Sequence, residues 1–148
     1  MLQLDVMREK ISNEAEMMKL GERVAGVLGI PVVIELVGDV GAGKTTFVKG
    51  LARGLGVEDE VTSPSFTINK RYVGKHGVEL SHYDFYRLSE AGLMKAELEE
   101  SMGDENMVTV VEWADSVSGV LGEGRVVVRI TMLDEKSRMV EISGTEIS

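Results

Sequence analysis

Apolar positions along the chain follow two spacings, one typical of helices and one typical of strands. Residues 12–28 carry apolar side chains at helical spacing, Asn13 and Glu16 resemble a capping box, and Gly29 can close the helix. Val32–Val37 is instead almost continuously apolar, which is typical of a strand covered on both faces, as in a parallel sheet. The pattern therefore begins helix, then strand.

The rest of the chain continues this alternation. A glycine-rich turn leads into a predicted helix at 44–55, and further elements follow as strands at 65–73, 78–84 and 107–112, a helix at 89–101, and a hairpin formed by 125–131 and 139–142. We therefore predict an α/β fold. Its mostly parallel central sheet is flanked by helices, and the antiparallel C-terminal hairpin lies at an edge.

Composition narrows the class of protein. The 148 residues suit one domain, spanning 1–148, and 43% hydrophobic content supports a real core. The chain has no cysteine, which excludes disulfides, thiolate metal sites and cysteine catalysis. Its formal charge of −9 argues against direct, broad binding to nucleic acid or anionic membrane, because both require clustered Lys and Arg.

Segments 89–116 and 61–88 differ sharply in charge. The first carries −7 of the total, whereas the second is net positive at +2. The acidic segment is either a solvated helix face or a docking face for a basic partner. The start of the chain lacks a basic region followed by an apolar run, and no apolar stretch approaches the roughly 20 residues that span a bilayer. We expect a cytoplasmic protein.

The strongest chemical signal is the glycine-rich turn. Gly38-Asp39-Val40-Gly41-Ala42-Gly43-Lys44-Thr45 fits G-x-x-x-x-G-K-[ST], and Thr46 continues it into the helix. The glycines let successive backbone N–H groups point at phosphate oxygens, and the helix N-terminus adds its positive dipole end. We expect Lys44 to reach the β- and γ-phosphates of a nucleoside triphosphate and the Thr45 hydroxyl to ligate Mg²⁺. With a strand before this loop and a helix after it, the predicted α/β fold resembles P-loop NTPases.

The base of the nucleotide and the carboxylate that would hold Mg²⁺ are inferred from other parts of the sequence. The guanine-binding pattern N-K-x-D fails at Tyr72, and no D-x-x-G turn follows Asp84, so ATP is expected by elimination. Mg²⁺ needs a carboxylate, usually at the end of an apolar strand. Both Glu112 and Asp84 fit that description, and we expect at least one of them to serve the metal or its waters.

Several other polar residues have two interpretations each. The segment 62–67, with Ser63 and Ser65, either orders over a γ-phosphate or is an ordinary turn around its proline. His82 is a proton carrier or, more commonly on a strand, a hydrogen-bonded structural residue. Trp113, the only tryptophan, is best interpreted as core packing with its N–H hydrogen-bonded.

Four segments together resemble the TsaE family of small bacterial ATPases, which are needed to make threonylcarbamoyladenosine in tRNA. These are the phosphate loop followed by Thr46-Phe47, then Val61-Thr62-Ser63-Pro64-Ser65-Phe66, then His82-Tyr83-Asp84-Phe85-Tyr86-Arg87-Leu88, and finally Val111-Glu112-Trp113. The phosphate loop is shared by many ATPases. The H-x-D-x-Y-R and E-W elements beside it make the resemblance more specific.

The resemblance implies a set of roles. It implies binding of ATP and Mg²⁺, weak intrinsic hydrolysis, and action with TsaB and TsaD, which would hold the tRNA. Carried over, Thr45 and Glu112 ligate Mg²⁺, Asp84 is needed for hydrolysis and Trp113 supports the site. This sequence departs from the family at Met17, where relatives carry a threonine near the nucleotide.

Two other functions fit the phosphate loop. One is a small-molecule or nucleotide kinase, and the other is a nucleotide-dependent binding switch whose hydrolysis is incidental. A kinase normally needs an arginine-rich lid over the phosphates, yet Lys95 is the only basic residue between residues 88 and 124. The ATPase interpretation is therefore preferred.

Overall fold

A computed structural model describes residues 6–39, 41–64, 69–85, 92–114 and 118–145 of the chain. Within these ranges seven strands form one sheet: β1 (Met7–Ile11), β2 (Val32–Val37), β3 (Asn69–Val73), β4 (Glu79–Asp84), β5 (Met107–Glu112), β6 (Val126–Met132) and β7 (Arg138–Ser143). Their order is β1-β7-β6-β2-β5-β4-β3. The described helices are α1 (Glu14–Val27), α2 (Lys44–Gly54), α3 (Gly92–Met102) and the short α4 (Ser118–Leu121).

The predicted fold class is confirmed. Strands β6, β2, β5 and β4 are mutually parallel neighbours, whereas β3 pairs antiparallel with β4 and β7 pairs antiparallel with β6. The C-terminal hairpin of β6 and β7 lies toward one edge of the sheet, but the edge strand itself is β1, which the sequence pattern did not predict and which pairs beyond β7. Helix α4 was also missed. Residues 65–68, the start of a predicted strand, lie outside the described residues.

Each face of the sheet is covered by different helices. On one face α1 and α2 bury the larger core, with Leu20, Val24, Phe47 and Leu51 packed against alternate residues of the strands. On the other face Leu98 of α3, with Leu121 of α4, covers a smaller cluster. In the part of the chain that the structure describes, no helix is both long and apolar enough to cross a membrane.

Strand direction determines where the functional residues meet. Because β2, β4 and β5 are parallel, their carboxyl ends reach the same edge of the sheet, and Asp84 stands beside Glu112 in register. In open α/β sheets, ligands bind in crevices outside such strand ends. Helix α2 begins at this edge, which places Lys44 and Thr45 near both carboxylates.

Candidate functional site

The phosphate loop joins the end of β2 to the start of α2, as predicted. Gly41 and Gly43 have φ values of 82° and 105°, in the left-handed region that glycine adopts without a Cβ penalty. Gly43 is the N-cap of α2 and has no side chain to cap it, so the first turn of α2 presents backbone N–H groups. The Ala42 N–H closes the loop on Asp39 O at 3.0 Å. Val40 lies outside the described residues.

Lys44 is almost buried, with 7% of its surface exposed, and three groups compensate its charge. Its Nζ donates to Gly38 O at 2.6 Å and lies 3.5 Å from Glu112 Oε1. The same nitrogen stands 4.3 Å from the centre of the Trp113 ring, a cation–π distance. A buried ammonium is tolerable only with such partners. Lys44 is thus held between the loop and the end of β5.

Glu112 is shared between Lys44 and His82. His82 is fully buried, and its Nε2 lies 2.5 Å from Glu112 Oε2. Since a carboxylate oxygen only accepts, the Nε2–H of His82 donates, and the His82 Nδ1 has no hydrogen-bond partner among the described residues. This contact supports the structural interpretation of His82, with Glu112 as its hydrogen-bond partner. Sequence reasoning missed this pair because the two residues are 30 positions apart.

Asp84 lies on the same face of the sheet as His82, which precedes it by two residues on β4, and Asp84 is 8% exposed. The residue between them, Tyr83, points to the opposite face. Its hydroxyl donates to Glu97 O at 3.3 Å, and burial raises its pKa above the usual 10.0. Alternation along β4 therefore sends polar groups to the α2 side and an aromatic ring to the second core.

A cavity of about 450 Å³, here called the loop cavity, brings most of the predicted site residues together. It is lined by Gly41, Gly43, Lys44, Thr45, Thr46, Ser63, Asp84, Glu112 and Trp113, and by Glu14, which the sequence analysis did not single out. Asp39 and Ala42 belong to the loop but line neighbouring cavities. Ser65 lies outside the described residues.

Ser63 reaches the loop cavity from a segment that β3 holds in place. Neighbouring Thr62 is hydrogen-bonded at both of its backbone groups: its N–H donates to the Tyr72 hydroxyl at 3.3 Å, and its carbonyl accepts from the same hydroxyl at 3.3 Å. Lys70 Nζ also donates to the Thr62 hydroxyl. The segment is therefore anchored beside the cavity, while its role as a γ-phosphate sensor or a plain turn stays a prediction.

Trp113 combines the two interpretations that the sequence left open. It is half-buried and packs against the smaller core, while its ring also lines the loop cavity over Lys44. Its φ of 56° is in the left-handed region, which is uncommon for a bulky residue. The left-handed backbone conformation thus occurs directly after β5, at the residue whose ring lines the loop cavity.

The residues around Thr45 fit a magnesium ion. Among the described residues no group of three or more His, Asp or Glu side chains forms a ready metal cluster. Mg²⁺ does not require one, because it is commonly held by one or two carboxylates together with phosphates and water. Thr45, Asp84 and Glu112 line one cavity with oxygen donors and no soft ligand, which suits a hard cation.

A second cavity of about 320 Å³, the hairpin cavity, lies beside the loop cavity and shares Gly41, Gly43 and Thr46 with its lining. It is lined by the start of α1, including Met17, by the phosphate loop, and by Arg138 at the start of β7. Met17 is 2% exposed and packs near Gly43. Arg138 was missed by the sequence analysis although it contacts the loop directly.

Fold and site together define an α/β protein whose G-x-x-x-x-G-K-[ST] loop follows a central parallel strand. Comparison with known proteins identifies the family. A family model described as "Threonylcarbamoyl adenosine biosynthesis protein TsaE" matches residues 11–140. The chain belongs to the TsaE family.

Individual relatives agree with this assignment. A "tRNA threonylcarbamoyladenosine biosynthesis protein TsaE" from Streptomyces coelicolor is 42% identical over 77% of this chain and 78% of its own. One of the same name from Aquifex aeolicus is 34% identical over 94% of this chain and 98% of its own. The crystal structure of Bacillus subtilis YdiB aligns with a TM-score of 0.78 and 28% identity, covering 100% of this chain and 90% of that one.

Proposed function

We propose that this chain is a Mg²⁺-dependent ATPase that supports threonylcarbamoyladenosine modification of tRNA. It acts with TsaB and TsaD and contacts tRNA only through that complex. The observation that carries the proposal is the convergence of Lys44, Thr45, Asp84 and Glu112 on the loop cavity in a chain of the TsaE family. The strong net charge of −9 favours partners, rather than this chain, as the holders of tRNA.

The phosphate loop, Lys44, Thr45 and Glu112 each have a separate role in this proposal. The loop N–H groups and the first turn of α2 bind phosphate oxygens, and Lys44 neutralises the β- and γ-phosphates. A phosphate would compete with Glu112 for the Lys44 ammonium, since Nζ and Oε1 are only 3.5 Å apart. Thr45 and Glu112 would hold Mg²⁺, which supplies charge neutralisation at the phosphates.

Asp84 is proposed as the residue that orients the attacking water. It lines the same cavity, and its backbone is paired with Glu112 across β4 and β5. Removing either carboxylate separates the two roles. Glu112→Gln is expected to retain nucleotide binding but to lose Mg²⁺-dependent hydrolysis, whereas Asp84→Asn is expected to lower hydrolysis with less change in Mg²⁺ dependence. Hydrolysis unchanged in Glu112→Gln would move the metal role to Asp84.

Reconstitution tests the function itself. Modification of tRNA by TsaB and TsaD is followed over many turnovers with the wild-type chain, without it, and with Lys44→Ala. Multiple turnover is expected with the wild-type chain, but neither in its absence nor with Lys44→Ala. Lys49→Ala is the matched control, because Lys49 is an exposed lysine on the same helix α2. Equal turnover in the absence of the chain would refute the proposed function.

A further inference from the structure

Arg138 joins the phosphate loop to the turn between β6 and β7. On the loop side its Nε donates to Ala42 O at 3.0 Å and its Nη2 donates to Gly41 O at 3.2 Å. On the turn side its Nη1 donates to Asp134 O at 2.9 Å and to Ser137 O at 3.0 Å. A guanidinium presents several donors in a fixed fork, so one side chain connects the two backbone segments.

The two loop bonds determine which way the loop peptides face. In a planar trans peptide the C=O and the N–H of the same unit point in opposite directions. The bond to Gly41 O therefore fixes the unit whose N–H, on Ala42, closes on Asp39. The bond to Ala42 O fixes the next unit and directs the Gly43 N–H away from Arg138.

The turn between β6 and β7 is stabilised by hydrogen bonds of its own. The Asp134 carboxylate accepts from the N–H groups of Lys136 and Ser137 at 2.9 and 2.7 Å. The Ser137 hydroxyl and these N–H groups lower the pKa of Asp134 from its usual 3.8 to about 2. Arg138 thus connects the loop to a turn with its own internal hydrogen bonds.

We propose that Arg138 is a positioning residue: from outside the phosphate loop, it holds Gly41 and Ala42 in the conformation that binds phosphate. This inference rests on the proposed nucleotide binding. In this proposal Arg138 affects polyphosphate binding indirectly, because it holds the loop backbone that binds the phosphates. It does not require contact between Arg138 and the base or ribose.

Binding of inorganic tripolyphosphate and of ATP to the full chain, measured by calorimetry with Mg²⁺, separates the possibilities. Arg138→Lys keeps the charge but lacks the fork, and Arg138→Gln keeps two donors but lacks the charge. Both variants are expected to weaken tripolyphosphate and ATP by similar factors of about tenfold, comparable with one charge-assisted hydrogen bond. Arg129→Lys, an exposed arginine on β6, is the matched control and is expected to bind like the wild type.

Three outcomes would overturn the proposal. Full tripolyphosphate affinity in Arg138→Lys would show that charge alone matters. Loss of ATP affinity with retained tripolyphosphate affinity would indicate contact with the nucleoside. The third outcome comes from a measurement without nucleotide, the amide hydrogen exchange of the loop peptide 38–47 in the ligand-free chain. Exchange is expected to be faster in Arg138→Lys than in the wild type. An unchanged rate would refute the positioning role. If the wild type binds neither compound, the proposed function fails, while hydrogen exchange still tests Arg138.

Discussion

The contact between α1 and α2 leads to a prediction of two glycine substitutions with opposite effects. A Cβ added to Gly50 of α2 would lie 2.0 Å from the backbone oxygen of Met18 on α1, about 1.4 Å closer than ordinary contact. Because the obstructing atom is backbone, no side-chain rotation relieves the clash, and the helices must separate. Because the approach is this close and the obstructing atom cannot rotate away, we expect the upper end of the usual cost of overpacking, about 3 kcal/mol. Alanine is also a better helix former than glycine, which offsets about 1 kcal/mol of this cost.

Gly50→Ala is therefore expected to lower the free energy of unfolding by about 2 kcal/mol, or Tm by about 4–8 °C for a chain of this size. Gly26→Ala is the matched control, since Gly26 lies on α1 and a Cβ added there would meet nothing within 4 Å. It is expected to raise stability by about 0.5 kcal/mol. Urea denaturation followed by circular dichroism measures both changes. If Gly50→Ala were as stable as the wild type, the close-packing argument would be wrong.

Three further predictions concern the site and the turn. His82→Leu removes the donor to Glu112 Oε2 and is expected to weaken the apparent Mg²⁺ affinity about tenfold, measured by Mg²⁺ titration of hydrolysis; an unchanged titration would contradict this role. Trp113 is the only tryptophan and lies over Lys44, so MgATP is expected to change its fluorescence in the wild type but not in Lys44→Ala. For Asp134, whose folded-state pKa of about 2 lies below 3.8, the stabilising effect of its charge is present above pH 4 and lost as pH falls toward 2. The stability difference between wild type and Asp134→Asn should therefore shrink over that interval in denaturation curves, and a constant difference would argue against the turn hydrogen bonds.

The elements that sequence alone predicted are those whose signals are local. Val32–Val37 is apolar almost throughout, and Lys44–Gly54 follows it with apolar residues at helical spacing. Each element can therefore be predicted from fewer than a dozen consecutive residues. The carboxylates Asp84 and Glu112 were predictable because each ends a strand. Parallel strands then place their ends at one edge without further information.

The features that sequence did not predict depend on contacts between distant residues. Strand β1 has three charged residues among five, and what makes it a strand is pairing with β7, more than 120 positions later in the chain. An outermost strand tolerates such charges because one of its edges faces solvent. Arg138 likewise meets Ala42 across 96 positions. No spacing rule within the sequence connects such pairs.

The acidic charge of the chain is consistent with a role in tRNA modification once its location is considered. Most of the −7 segment is on or near α3, where Glu99 and Glu100 are exposed and Glu97 accepts from Asn69 at 2.9 Å. Among the acidic residues of this segment that the structure describes, Glu112 alone is buried, and Lys44 and His82 compensate its charge. The carboxylate with a proposed chemical role is thus withdrawn from the surface, and the exposed ones repel nucleic acid. This division supports a chain that handles nucleotide at its loop while other proteins hold the tRNA.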